Sequence, residues 1–192
     1  MRDILKTGII LLIICAVAAF ALAMTNEVTK DQIAFQRQLA NDAAKAAVLP
    51  VATSFKDLDE AKVAVIKDKY APVSEVYVGY DDSDNIVGYV FKSLPVGFGG
   101  PVEVVTGINV EGVVTGMRMG NHQETPGLGA RAKEPGFYEQ YNGKSADGPI
   151  GVAKSNPTDT DIQAITGATI SSAAITSGVN ASIDAYHDVI GN

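Results

Sequence analysis

Two threonines, Thr166 and Thr169, bracket a Gly-Ala pair in the stretch QAITGATISS (163–172), and the residues that follow carry helical spacing. None of these side chains is an acid, a base or a metal ligand at neutral pH. What they offer is hydrogen bonding, and an oxygen that phosphate can esterify. A helix starting near Thr169 leaves its first amides unpaired and carries partial positive charge at that end. A serine or threonine there ordinarily caps the helix. The functional alternative is an anion site, because the same amides suit a phosphate and Gly167 and Ala168 admit a close approach. Two other stretches stand out: HQETPGLG (122–129), dense in Gly and Pro, and PVGFGGPVEV (95–104). The second lacks the Lys-Ser/Thr of a nucleotide P-loop, which leaves a tight turn or a loop that hugs a ligand.

The bulk composition narrows the chemistry. The chain has 192 residues, 46% of them hydrophobic, and a net charge of −7. That length holds one ordinary domain and an appendage. The acidic balance offers no basic stripe to neutralise nucleic-acid phosphates. Tryptophan is absent, and His122 and His187 are the only histidines. Neither sits near a nucleophile motif such as G-x-S-x-G, which disfavours a hydrolase. The single cysteine, Cys15, excludes a disulfide framework. It reads as a plain membrane-facing side chain, because Ile14 is bulky where a lipid-attachment motif wants a small residue.

Several elements must position these loops. Residues 1–24 open with Arg2 and Lys6 and continue as an apolar run from Gly8 to Met24, at the lower end of a membrane span. Ala21-Leu22-Ala23 would also satisfy signal cleavage; the length of the run and the helical pattern after it favour an uncleaved anchor. The early positive charges hold the N-terminus in the cytoplasm and put the remainder outside, where ATP and NADH are not steadily supplied. Residues 25–50 read as a connecting helix closed by Pro50. The segments 76–91 and 104–119 read as hairpins, with a glycine in each arm. Asp81, Asp82 and Asp84 lie in the first turn and lack the Gly and Glu of a calcium loop, so a solvated turn is expected. A short helix can follow Pro135, a strand or two falls within 148–169, and a final helix runs from about Ile170 to Ile190 on the spacing of Ile175, Val179, Ile183, Tyr186 and Ile190. Hairpins followed by a terminal helix make the class α+β.

These motifs carry a resemblance. TGAT followed by Ile-Ser-Ser resembles the (S/T)GAT signature of FMN-binding domains in which flavin mononucleotide is joined to the last threonine by a phosphoester. HQETPGLG resembles the H-x-E-T-P-G-L-G loop of that family, and GFGGP its glycine-rich segment. With the anchor, nearly the whole chain resembles the G subunits of the Rnf family of ion-translocating ferredoxin:NAD oxidoreductases.

The resemblance implies covalent FMN on Thr169, with Thr166, Gly167, Ala168, Ser171 and Ser172 shaping the phosphate nest. It implies that Glu124, Thr125, Gly127, Leu128 and Gly129 line the ribityl chain or the ring. It also implies an FMN-binding domain over 51–192, a flavin transferase that moves FMN from FAD, and electron exchange with other membrane and redox subunits of an ion-pumping complex. No independent catalysis and no metal site are expected. One position departs from the pattern: Gln163 stands where an acidic residue usually precedes the modified threonine by six places. His122 reads as a hydrogen-bonded loop residue and His187 as a helix-end residue. Two alternatives stay open: the flavin subunit of a Na⁺-translocating NADH:quinone reductase, whose soluble part typically carries extra sequence, and an anchored sensor or structural module without covalent flavin.

Overall fold

The computed structural model describes residues 2–191. The chain forms two compact units, the first ending at Asn41 and the second beginning at Asp42.

The first unit is helical and belongs to α1 (Arg2–Val48). Its most apolar 18-residue window has a mean hydropathy of 2.7 and none of it is buried, so the helix is long and apolar enough to cross a membrane. No break separates the apolar run from the polar residues after Met24. Thr25 and Thr29 turn their hydroxyls back onto the carbonyls of Ala21 and Thr25, the helix-compatible way to satisfy a threonine. The boundary expected at residue 24 is therefore a change of surface chemistry within one helix.

The second unit is built on an antiparallel sheet in the order β1 (Ser54–Asp57), β2 (Val73–Tyr80), β3 (Ile86–Ser93), β4 (Val104–Asn109) and β5 (Val114–Met119). The two expected hairpins are β2–β3 and β4–β5. β1 and α2 (Glu60–Lys69) are not legible in the sequence, since β1 has four residues and α2 has almost no one-sided apolar pattern. In the β2–β3 turn the Asp81 carboxylate accepts from the amides of Ser83 and Asn85. Those bonds, led by Asn85, hold its pKa below the usual carboxylate range. This acid is spent on the turn.

Alternate side chains along the strands feed two cores, as a period of two requires. Val76, Phe91, Val104 and Ile108 face α4 (Thr169–Ile190), and Met117 and Met119 of β5 join the same buried cluster. Val90 and Val105 face the end of α1, where Val48 and Leu49 are fully buried. The glycines of the hairpins make room for that second contact. Gly79 pairs with Gly88 and Gly107 with Gly116. A methyl group on Gly107 would collide with the Val48 carbonyl, and one on Gly79 would lie 2.6 Å from Leu49 Cδ2. The four glycines form a shallow lane in the sheet into which the last turn of α1 settles, fastened by a hydrogen bond from the Thr115 hydroxyl to the Val48 carbonyl.

On the other face α4 buries Ile175, Val179, Ile183 and Tyr186, each contributing about 1.5–3 kcal/mol of apolar burial. Ile190, expected on this stripe, is 51% exposed; the buried face ends at Val189. Ser172, Thr176 and Ser182 bond back to carbonyls four residues earlier, so a helix rich in hydroxyl residues leaves none of these three buried groups unsatisfied. Between β5 and α4 the chain forms a 3₁₀ turn (Gly129–Lys133), the short helix α3 (Pro135–Tyr138), a second 3₁₀ turn (Glu139–Tyr141), and the strands β6 (Gly151–Ala153) and β7 (Asp161–Gln163). β6 and β7 pair in parallel rather than as a hairpin.

Candidate functional site

Thr169 is the first residue of α4. The capping residue is Ala168, whose side chain has nothing to offer, and no side chain caps the helix. The ordinary capping role considered for these hydroxyls is therefore not the one they play. Ser172 N–H reaches the Ala168 carbonyl at 3.0 Å and begins the helical ladder. The amides of Thr169, Ile170 and Ser171 precede it and point out of the helix end, where the helix dipole favours negative charge. The hydroxyls of Thr166 and Thr169 make no hydrogen bond among the described residues; Thr166 is exposed and Thr169 half-buried.

The turn before the helix is shaped for approach. Ala168 N–H closes onto the Ile165 carbonyl at 2.9 Å, with Gly167 at φ +79° in its third position. Only glycine takes that conformation without steric cost. Ser172 braces the turn from inside: its Oγ donates to the Ala168 carbonyl at 3.0 Å and accepts from Ile165 N–H at 3.0 Å.

The His122–Gly129 loop follows directly from β5 and meets this turn. Glu124 is 5% exposed. Its Oε2 accepts from Ser171 Oγ at 2.6 Å and its Oε1 from Gly99 N–H at 3.0 Å. One carboxylate thus joins three segments that are distant in sequence. Glycines make room for it: methyl groups on Gly97 or Gly129 would overlap its oxygens, and one on Gly129 would also stand 2.6 Å from Ser171 Oγ. Leu128 lies over the turn, 3.2 Å from where a Gly167 side chain would begin. The Thr125 carbonyl accepts from the amides of Leu128 and Ala130 and Gly127 has φ +75°, which folds the loop back on itself. The backbone N–H of Glu124 donates to His122 Nδ1 at 3.1 Å. The His122 ring is therefore neutral with its proton on Nε2. Burial first, then the positive charge of Lys133, hold its pKa below the ordinary value. His187 Nε2 lies 2.7 Å from the Ala146 carbonyl near the end of α4, so that nitrogen carries a hydrogen.

A third segment, outside the expected site residues, is joined to this loop through the Gly99–Glu124 hydrogen bond. Pro95–Val102 is a small hairpin, closed by Val102 N–H to the Pro95 carbonyl and by Gly97 N–H to the Gly100 carbonyl. Its base meets α4: Ser93 Oγ, at the end of β3, donates to the Gly178 carbonyl at 3.2 Å, and Gly178 leaves room for Ser93 and Pro95. The glycine density of this segment was the available signal. The hairpin itself carries exposed apolar side chains, Val96 at 74% and Phe98 at 69%, and Ile170 on α4 is 62% exposed. An unpaired helix end and a hydroxyl without a partner among the described residues suit a phosphate.

The structure thus brings Glu124, Leu128 and Gly129 against Gly167, Ser171 and the start of α4. Thr125 and Gly127 remain on the exposed outer part of their loop. The hydroxyls of Ser171 and Ser172 are already committed, to Glu124 and to the turn; what this stretch leaves open is backbone amide and the Thr169 hydroxyl. Gln163 ends β7 with its backbone N–H on Gln140 Oε1 and its side chain exposed.

The FMN-binding domain family matches residues 97–184, which take in the hairpin from Gly97 onward, the His122–Gly129 loop and the start of α4. The RnfG N-terminal region matches residues 1–48, a stretch that includes α1. The G subunit of the Na⁺-translocating ferredoxin:NAD⁺ oxidoreductase complex of Acetobacterium woodii is 41% identical, over 98% of this chain and 94% of the relative. The G subunit of the ion-translocating oxidoreductase complex of Methanosarcina acetivorans is 33% identical, over 95% and 94%. Among solved structures, the C subunit of the Na⁺-translocating NADH-quinone reductase of Parabacteroides distasonis superposes with a TM-score of 0.64 at 18% identity, over 83% of this chain and 96% of that one, which establishes a shared fold. The chain belongs to the family of G subunits of ion-translocating ferredoxin:NAD⁺ oxidoreductase complexes.

Proposed function

We propose that this protein is the electron-transfer flavoprotein of such a complex and carries FMN covalently through a phosphoester on Thr169. The observation that carries the reading is the position of Thr169: a free hydroxyl on the first residue of an uncapped helix, beside the unpaired amides of that helix end.

The residues fit the group. Thr169 Oγ1 would replace AMP on the FMN phosphorus of FAD. The new P–O bond forms at Oγ1, the pyrophosphate bond breaks, AMP leaves, and the hydroxyl proton passes to a base of the flavin transferase. The amides of Thr169, Ile170 and Ser171, at the start of α4, would offset the charge of the phosphate. Gly167 keeps the approach open, and Leu128, Phe98 and Ile170 offer apolar surface to the ring. When bound, the flavin supplies one- and two-electron transfer. Covalent attachment suits a domain outside the cytoplasm, where a dissociated cofactor would be lost. In this reading α1 is an uncleaved single-pass anchor with its N-terminus in the cytoplasm, and the second unit exchanges electrons with membrane and redox subunits on the outer side.

The test is intact mass and in-gel fluorescence of the denatured chain, co-expressed with a flavin transferase, beside Thr169→Val. Wild type should gain on the order of 440 Da, FMN less water, and the variant nothing. An unmodified wild type would refute covalent attachment and make Gln163, where the attachment pattern has an acid, the first position to change.

A further inference from the structure

Glu124 poses a question that attachment at Thr169 does not answer. A site built to hold a phosphate has a buried acid at its edge, bonded to a serine two residues from the attachment point. Glu124 is 5% exposed, and each oxygen of its carboxylate accepts a hydrogen bond. Among the described residues no lysine or arginine pairs with it. Burying such a charge costs free energy that two hydrogen bonds only partly return. The fold also yields space to it, since Gly97 and Gly129 are kept bare where a methyl group would strike its oxygens.

We infer that Glu124 is a positioning residue and a fixed negative charge: it locks the 95–102 hairpin and the first turn of α4 into one rigid seat, and it holds the reduction potential of the flavin bound there below the value that the same seat would give without the charge. The inference rests on the reading of Thr169 as the FMN site. The positioning half follows from geometry. Gly99 is adjacent to Phe98, and Ser171 is two residues from Thr169, so one carboxylate sets the spacing between the apolar tip and the phosphate end. The electrostatic half follows from Coulomb's law in a poorly hydrated place. Adding electrons to a bound ring adds negative charge, and a nearby unpaired carboxylate opposes it. Among the described residues Ser171 O–H and Gly99 N–H are the groups that donate to the charge, so they set how much of it is felt.

The experiment is a spectroelectrochemical titration of the full-length, flavin-loaded chain, with intact mass recorded on each sample. Glu124→Gln keeps the size and one acceptor but removes the charge. It should retain the FMN mass and move the potential to a less negative value. Glu134→Gln removes an equal charge from an exposed carboxylate that bonds Arg131 and should leave the potential where it was. A loaded Glu124→Gln protein with an unchanged potential overturns the inference, as does an equal shift in Glu134→Gln. If Glu124→Gln does not fold or load, Ser171→Ala decides. It strips a donor from the charge and should move the potential to a more negative value; no movement overturns the inference. A wild type without FMN mass tells against the Thr169 reading instead, so the two failures are distinguishable.

Discussion

Ser172 Oγ stands 3.0 Å from Ile165 N and 3.0 Å from the Ala168 carbonyl, holding both ends of the turn that presents Thr169. Both bonds are buried, and the same helical turn continues inward. Thr176 Oγ1 donates to the Ser172 carbonyl at 2.9 Å, and the Tyr141 hydroxyl, fully buried, sits 2.7 Å from Thr176. Because Thr176 spends its proton on Ser172, Tyr141 is the donor of that pair.

Ser172→Ala leaves the Ile165 amide buried without a partner. Losing such a bond costs about 1–3 kcal/mol. Urea unfolding should show the loss as a lower midpoint at unchanged slope. Flavin loading, followed by mass, should fall as the turn loosens, although Thr169 itself is intact. Full loading in a destabilised protein would show that the turn is not what presents the hydroxyl.

The glycines of the second loop separate two physical demands. At Gly127, φ is +75° and a side chain would meet nothing within 4 Å. Gly127→Ala should therefore cost only the left-handed conformation, about 1–2 kcal/mol. At Gly129 a methyl group would meet the Glu124 carboxylate and Ser171 Oγ together, both in buried side chains. Gly129→Ala should cost more stability than Gly127→Ala and should reduce flavin loading. Thermal melts and intact masses of the pair test that order.

Gly107 governs a contact on the opposite face of the sheet from α4. Its replacement by alanine would push the Val48 carbonyl out of the sheet lane and break the Thr115 hydrogen bond. Overpacking of this kind costs about 1–3 kcal/mol. Hydrogen exchange should report faster opening of residues 44–49 while the amides of α4 stay protected. Equal acceleration in both would mean that the two cores open as one.

His122 makes the loop sensitive to acid. Its folded pKa lies below the unfolded value of 6.5, chiefly from burial. A depressed folded pKa means that the unfolded chain takes up the proton first. The contribution of this residue is complete above about pH 6.5 and is lost as pH falls from there through the lowered folded value. In wild type, stability should decline over that window, and His122→Asn should flatten this part of the decline. A slope unchanged in the variant would assign the loss to other groups.

Patterns that are local in the chain can be read from the residues alone. The period-two arms around 81–85 and around Gly112, the three- and four-residue spacing after Thr169 and the apolar run after Lys6 each fix their element through neighbours a few residues away. The α+β class and the entrance of α4 followed from them. The TGAT and HQETPGLG segments marked their own importance by composition and resemblance. β1 and α2 did not show, because a four-residue strand and a helix without a one-sided apolar pattern owe their form to β2 and to the core. The glycines of 95–102 marked that stretch as a possible ligand loop, but nothing in the sequence revealed that Glu124 joins it to Ser171, 47 positions away. Nor did it show that paired glycines of β2–β5 make a lane for Val48 and Leu49. Hydrogen bonds between segments far apart, and room left by an absent methyl group, exist only once the sheet has brought those segments together. Short-range periodicity wrote the elements into the sequence; long-range packing decided which residues of those elements meet.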